Sequence, residues 1–184
     1  MKDERKSSYS FKKINQKQFG NVGYFPFYTE KALSSKKQDF KEFIHFGNGI
    51  SSDIYPSNGW ISSHLELKEV LKKQFEQLEI LGKVLFPLIS NIYGLKKDYI
   101  EDLIKEGNSI LRVIHYPPCS SHNNSSIMRA APHYGTNLMG FAPPSEIEGL
   151  QFCLLHTNEW VSMPKINEPV VLVNIELKGT QGVR

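Results

Sequence analysis

The sequence predicts an α+β fold, with a helical first half and a sheet-forming second half. Apolar residues recur at helical spacing between Leu65 and Tyr93, and from Ser109 onward they alternate with the two-residue period of a strand. Further short apolar runs follow, separated by turn residues, which is typical of an antiparallel sandwich or barrel. With 184 residues, 40 % of them hydrophobic, the chain is long enough to bury the core of one domain, with or without a small appendage.

The composition is that of a globular protein with a mildly basic charge. The net charge is +3, and much of the excess lies in the first 17 residues, where a short basic end is usually solvated. No apolar run approaches the ~20 residues that cross a bilayer, and no apolar signal segment follows Met1. We therefore expect a cytoplasmic protein that binds neither nucleic acid nor membrane. Cys119 and Cys153 are too few for a disulfide framework or a zinc site, so both are expected to be reduced thiols.

The first 60 residues carry weak local signals. Residues 1–20 are polar and show no periodicity, so no structure is predicted there. Two aromatic patches follow, in residues 20–27 and 34–46, and aromatics this close together usually form core or the edge of a lid. Residues 47–60 are rich in glycine, proline, asparagine and serine, which predicts a loop.

The apolar periodicity between Leu65 and Tyr93 predicts the longest helix, with one buried and one solvent-exposed face. Pro87 lacks a backbone donor and is expected to kink or interrupt its last turns, and Gly94 should end it. A shorter helix is predicted over residues 97–105, closing at Gly107.

Strands are predicted in the second half. Residues 110–116 alternate and are ended by Pro117-Pro118, and residues 120–126 form a polar loop. Four further short strands are predicted over residues 137–141, 149–155, 159–163 and 169–174.

One histidine stands where a metal ligand could lie. In an extended strand positions 133 and 135 point to the same side, which is the geometry by which a His-x-Asp pair holds a metal. His133 supplies the first member, but Gly135 offers no ligand. His115 lies on the opposite side of its strand from Tyr116 and is interpreted as structural or surface-exposed.

Other chemistry-bearing residues give weaker signals. His122 lies in a polar loop and His156 in an apparent hairpin turn, so both are expected to be solvated. The serines near residue 120 lack the context of a nucleophile elbow, and no glycine-rich phosphate loop is present. No catalytic residue is assigned.

Several motifs stand in a specific order from about Gly23 to Ile175. They are residues 23–27, 39–43, 55–60, 107–118, 129–133, 149–151, 160–161 and 171–175. Together they resemble the isopenicillin N synthase-like group of non-haem Fe(II), 2-oxoglutarate-dependent oxygenases. The resemblance implies a double-stranded β-helix, or jelly roll, with flanking helices. It assigns residues 1–106 to a remnant of the helical N-terminal region and residues 107–184 to the first part of the jelly roll.

The resemblance also implies a site and two cofactors, Fe(II) and 2-oxoglutarate. In that family a His-x-Asp pair and a distal histidine hold the iron and leave open positions for cosubstrate and dioxygen. His133 matches the first ligand, and Tyr116 matches the tyrosine that contacts the carboxylate of 2-oxoglutarate. A half-buried strand tyrosine is an equally good interpretation of Tyr116.

The sequence departs from the family pattern at two places. Gly135 replaces the aspartate, although related halogenases also carry a small residue there and leave the position to chloride. After Ile175 the family would continue to the distal histidine and the arginine that pairs with 2-oxoglutarate, whereas residues 176–184 follow here. We therefore expect a chain truncated at both ends and inactive alone. The alternative is an oxygenase or halogenase acting on a small molecule, completed by another chain or by self-association through exposed strand edges.

Overall fold

A computed structural model describes residues 22–32, 35–49, 57–61, 64–105, 107–118, 128–133, 135, 137–143, 147–154, 156–166 and 168–175. The described residues contain two α-helices, one short 3-10 helix and seven β-strands, all paired antiparallel. This confirms the α+β class. The elements are β1 (Gly23–Phe25), β2 (Glu42–Gly47), the 3-10 helix (Asn58–Ile61), α1 (Leu65–Ile92), α2 (Tyr99–Lys105), β3 (Ile110–His115), β4 (Met139–Ala142), β5 (Gln151–Cys153), β6 (Trp160–Ser162) and β7 (Leu172–Ile175).

The largest sheet has three strands in the order β1-β2-β3. In its register Phe25 lies opposite Phe43, and β2 pairs with β3 so that His45 lies opposite Arg112 and Glu42 opposite His115. Sequence periodicity predicted β3 but neither β1 nor β2, because the aromatic patches there show no clean alternation. Strand β2 is buried on both sides, with five of its six residues buried, so it shows no alternation of buried and solvent-exposed residues.

The long helix α1 confirms the predicted element almost residue for residue. Leu71 and Phe75 pack with Phe46 and Ile61 to form the hydrophobic core under one face of the sheet. The helix continues past Pro87 to Ile92, so the proline does not interrupt it, and Gly94 follows with a positive φ of 65°.

The apolar pattern of α1 is wider than its buried face. Val84, Leu88 and Ile92 belong to the predicted stripe but are exposed. The predicted stripe is therefore buried only in part. Leu71, Phe75 and Ile89 are buried, whereas Val70 is exposed like Val84, Leu88 and Ile92, because the side of the helix that the core covers is narrower than the arc of apolar residues.

The later strands form two separate pairs. β4 pairs with β7, and β5 pairs with β6 through a turn in which Asn158 has a φ of 57°. All four predicted strands are thus present. In the described residues the strands form three sheets of three, two and two strands, and the jelly-roll arrangement stays a prediction.

Contacts between residues divide the chain into two compact units. The first comprises Met1–Glu30 and Asp39–Arg129, and the second comprises Lys31–Gln38 and Ala130–Arg184. The division at residue 106 that the resemblance implies stays a prediction, and the β2–β3 pairing joins residues from either side of it. Within the described ranges no helix is both long enough and apolar enough to span a membrane.

Candidate functional site

Tyr116, the predicted contact of 2-oxoglutarate, follows β3 in the first unit and is 39 % exposed. Burial is the main influence on the pKa of its phenol and raises it. Lys41 and Arg112 lower that pKa, while Asp39 and Glu30 raise it, so four charged side chains act on Tyr116. At neutral pH its hydroxyl is therefore protonated and able to donate a hydrogen bond.

Those four charges form one ion-paired cluster. The ammonium of Lys41, on a side chain only 5 % exposed, lies 2.9 Å from carboxylate oxygens of both Asp39 and Glu30. Arg112 donates to both oxygens of Glu30, at 3.1 and 2.6 Å, in a bidentate pair. Two cations and two carboxylates leave the cluster with no formal excess charge, so it does not constitute an anion site by itself.

Burial and ion pairing act in opposite directions on the cluster. Burial raises the pKa of Glu30, but the hydrogen bonds from Lys41 and Arg112 outweigh it and hold that pKa below its usual value. Burial lowers the pKa of Lys41, and the hydrogen bonds to Asp39 and Glu30 outweigh that effect and raise it. Glu30 and Lys41 therefore remain ionised at neutral pH.

Arg112 also joins this cluster to the aromatic side of the sheet. Its Nε donates to His45 Nε2 at 2.7 Å, and its guanidinium carbon lies 4.5 Å from the centre of the Phe43 ring. Phe43 in turn stacks on Phe25 with ring centroids 4.6 Å apart. The side chain of Arg112 is thus held from three directions.

The opposite side of β2 carries a second polar group. Glu42 accepts a hydrogen bond from the Tyr24 hydroxyl at 2.5 Å and lies 2.8 Å from His115 Nδ1. Glu42 is buried, whereas the His115 side chain is 61 % exposed. The interpretation of His115 as a surface histidine is consistent with this exposure, and a buried carboxylate fixes the orientation of its ring.

His133, the predicted iron ligand, lies in the second unit and is exposed. Its Nδ1 lies 2.8 Å from the carbonyl oxygen of Ala131, an acceptor-only group, so Nδ1 carries the proton and Nε2 is the basic nitrogen. This is the arrangement in which metal-ligating histidines are usually held. Gly135 lies two residues on and has no side chain to add.

The described residues do not by themselves fit an iron ion. Among them no group of three or more histidine, cysteine, aspartate or glutamate side chains is placed to hold a metal. Tyr116 belongs to the first compact unit and His133 to the second. His156 is exposed in the β5–β6 turn as predicted, whereas His122 and Cys119 lie outside the described residues, and Cys153 is a buried free thiol.

Curated relatives that match the chain are plant oxygenases and oxidases. The 2'-deoxymugineic-acid 2'-dioxygenase of Hordeum vulgare is 29 % identical over 106 residues, which cover 58 % of this chain and 30 % of that protein. Gibberellin 20 oxidase 2 of Arabidopsis thaliana is 25 % identical and covers 89 % of this chain and 43 % of its own length. The chain thus spans less than half the length of these relatives. No protein-family model matches it.

Solved structures agree with these relatives. A 2OG-Fe(II) oxygenase family protein from Caulobacter crescentus superposes with a TM-score of 0.67 at 25 % identity, covering 94 % of this chain and 54 % of that one. The chain is thus similar to 2OG-Fe(II) oxygenases in sequence and in fold. A Neurospora crassa protein solved with alpha-KG and thymine shares the fold with a TM-score of 0.73 at 20 % identity, covering 95 % of this chain and 56 % of that protein. The ligand alpha-KG of the Neurospora crassa protein is 2-oxoglutarate, the cosubstrate that the resemblance implies for this chain.

Sequence reasoning missed the ion-paired cluster of Glu30, Asp39, Lys41 and Arg112. Asp39, Lys41, Glu42 and His45 are four ionisable residues within seven positions of an aromatic segment, and all four are buried. Ionisable residues are rarely buried without partners, so this density was the available signal. This density does not by itself predict the cluster, because Arg112, which pairs with Glu30, lies 82 positions away from it in the sequence.

Proposed function

We propose that this chain carries part of the site of an Fe(II)- and 2-oxoglutarate-dependent oxygenase that acts on a small molecule. In this proposal His133 is an iron ligand through Nε2, and Tyr116 contacts a carboxylate of 2-oxoglutarate through its hydroxyl. The observation that carries the first assignment is the contact of His133 Nδ1 with the Ala131 carbonyl, which leaves the other ring nitrogen basic. The curated relatives and the jelly-roll arrangement expected of their fold support it further.

We further propose that the chain alone binds Fe(II) too weakly to catalyse the oxygenase reaction. Affinity for Fe(II) depends on several preorganised ligands and on the groups that orient them. Gly135 contributes none, and among the described residues no group of three or more ligand side chains is placed to hold a metal. In this proposal the family assignment of residues 1–106 and 107–184 is kept, and the protein is cytoplasmic.

A second candidate is an active oxygenase or halogenase completed by another chain or by a second copy. The observation that favours a halogenase is Gly135 itself, because a missing carboxylate leaves a coordination position to which chloride could bind. The small-molecule substrate would then be halogenated rather than hydroxylated.

The test is anaerobic addition of Fe(II) and 2-oxoglutarate to the purified chain, followed by a search for the weak visible charge-transfer band of the chelate. We expect no band from the unaltered chain. A band that is lost in His133→Ala and kept in His156→Ala, an exposed histidine of the same unit, would support the second candidate and overturn inactivity.

A complementary variant tests the position of the site. Gly135→Asp adds the carboxylate that a His-x-Asp pair needs, so Fe(II) affinity should rise at least about tenfold. The rise should vanish in the double variant with His133→Ala. Equal affinity in Gly135→Asp and the unaltered chain would contradict the assignment of His133.

A further inference from the structure

A buried carboxylate holds an exposed histidine on one side of the sheet β1-β2-β3. The register pairs Glu42 of β2 with His115 of β3, so the two side chains are cross-strand neighbours. Glu42 Oε1 lies 2.8 Å from His115 Nδ1, and Glu42 Oε2 accepts a hydrogen bond from the Tyr24 hydroxyl at 2.5 Å. Each carboxylate oxygen therefore has its own partner, and the carboxylate is fixed in direction.

This contact decides which nitrogen of His115 is basic. A carboxylate only accepts hydrogen bonds, so Nδ1 carries the proton in the neutral ring and the lone pair lies on Nε2. The His115 side chain is 61 % exposed, whereas that of Glu42 is 6 % exposed. The pair therefore presents a nucleophilic nitrogen on an accessible ring whose orientation is set from below.

Stability alone does not account for the pair of Glu42 and His115. Burying a carboxylate costs folding free energy, and apolar residues of similar volume often stabilise such a position at least as well as a buried ion pair does. What the carboxylate does is to fix the tautomer and direction of the imidazole. A carboxylate has the same effect on the histidine of a hydrolytic triad.

Aromatic side chains lie beside the His115 ring. The ring centroids of Phe27 and His115 are 6.5 Å apart at an interplanar angle of 61°. Phe40 stacks on Phe27 with centroids 5.1 Å apart and contacts Tyr28 at 5.6 Å. Tyr28 is 48 % exposed. The imidazole thus has an aromatic wall, formed by Phe27, Phe40 and Tyr28, against which a planar apolar group can pack.

We propose that His115, oriented by Glu42, is the nucleophile of a second site that hydrolyses small aryl esters. Nε2 forms a bond to the carbonyl carbon of the ester, and the bond from that carbon to the phenolic oxygen breaks. Glu42 stabilises the positive charge that develops on the acylated imidazole. Water then attacks the acyl carbon and releases the imidazole. The reaction consumes the ester and water, and the products are a carboxylic acid and a phenol.

The neighbours of His115 define the class of substrate. Neither Phe27 nor the Glu42 carboxylate offers a proton to a leaving group, so the alcohol of the ester must leave unaided, as a phenolate does. The aromatic wall favours an aryl group for the same reason of fit. His115 and Tyr116 are consecutive residues and point to opposite sides, so this site is separate from the proposed oxygenase site and does not depend on it.

The first test is hydrolysis of p-nitrophenyl acetate by the full chain, followed by the release of p-nitrophenolate. EDTA is present throughout, so the result does not depend on bound iron. We expect His115→Gln to lower the rate above background at least about tenfold. His156→Gln, which alters an exposed histidine of the second unit, should leave the rate unchanged. No loss in His115→Gln, or an equal loss in His156→Gln, would overturn the proposal.

A variant of the aromatic wall tests where the ester packs. Phe27→Leu should raise KM by about two- to tenfold, the range expected for loss of one aromatic contact, and it should change kcat less than KM. A fall in kcat with KM unchanged would contradict packing of the aryl group on Phe27.

The second test measures the tautomer and does not require turnover. Nitrogen NMR of the His115 ring, assigned by comparison with His115→Gln, should place the proton on Nδ1 at a pH at which the ring is neutral. Glu42→Gln should weaken this preference and lower the rate of hydrolysis together with it. A proton on Nε2 in the unaltered chain would overturn the proposal, whether or not Glu42→Gln folds.

Discussion

The two units differ in what they bury. The first contains the core around Phe46, Ile61 and Phe75, and its charged residues Asp39 and Lys41 are buried and paired. Among described residues of the second, the buried apolar side chains are Ala32, Ala131 and Cys153, and all of strand β6 is exposed. The better-packed unit carries Tyr116, whereas the sparsely packed unit carries His133.

This difference matters because a metal site needs ligands held by packed neighbours. Tyr116 stands beside a network that fixes Arg112 and Lys41, so its surroundings are defined. His133 is held by one short-range hydrogen bond to a residue two positions away. The contrast predicts that substitutions in the first unit have the larger effects on stability.

The largest effect is expected from Phe75→Ala. Phe75 is buried in the core and contacts Phe46 edge to face, so its truncation should lower the free energy of unfolding by about 3–5 kcal/mol. The matched substitution in the second unit, Cys153→Ala, removes one buried sulfur and should lower it by about 1 kcal/mol. Urea unfolding followed by circular dichroism measures both. Equal losses would show that the two units do not differ in packing as described.

Asp39→Asn tests whether the buried ion pair distinguishes the first unit. The substitution keeps the shape of the side chain but leaves Lys41 with one carboxylate instead of two in a site that is 5 % exposed. Unfolding free energy should fall by about 3 kcal/mol, at the lower end for breaking a buried pair, because Glu30 remains. Lys72→Gln removes an exposed ion pair with Glu76, and it should change the free energy of unfolding by less than about 0.5 kcal/mol.

Acid should weaken the first unit through Glu30. Since the pKa of Glu30 is lowered in the folded chain, its contribution is present above its unfolded pKa of about 4.3 and is lost as the pH falls through the lower folded value. Glu30→Gln should therefore reduce the loss of stability between neutral pH and pH below 4, measured as the change in urea midpoint. A pH dependence identical to that of the unaltered chain would exclude Glu30 as its source.

The smallest effect is a gain from Tyr28→Gly. Tyr28 has a φ of 63°, a left-handed conformation that costs a residue with a side chain about 1 kcal/mol and glycine little. Tyr28 is 48 % exposed and its ring contacts Phe40, so some of that gain is offset by lost packing. We expect the midpoint of thermal unfolding to rise by a few degrees at most. A fall would mean that the Phe40 contact outweighs the backbone strain.

Local patterns were sufficient for most elements but not for the sheet of the first unit. Apolar residues recurring every 3.6 or every 2 positions predicted α1, β3 and the four later strands. Such a period depends only on the local segment, because it arises when a helix or strand turns one side toward the core. Strands β1 and β2 were missed because β2 is covered on both sides and carries Glu42 and His45 next to its buried aromatics. Its partner β3 lies about 70 residues away, as the pairing of Glu42 with His115 records.

The sequence by itself determined the α+β class, the oxygenase resemblance and the absence of a carboxylate at Gly135, since residue identity and local spacing decide these. Only the tertiary structure decided that Glu30 joins Lys41 to Arg112, that Glu42 orients His115, and that β3 forms a free edge within the described sheet. These features join residues separated by up to 82 positions. The physical reason is that a buried charge is stable only beside its partner, and the partner is chosen by how the strands pair rather than by distance along the chain.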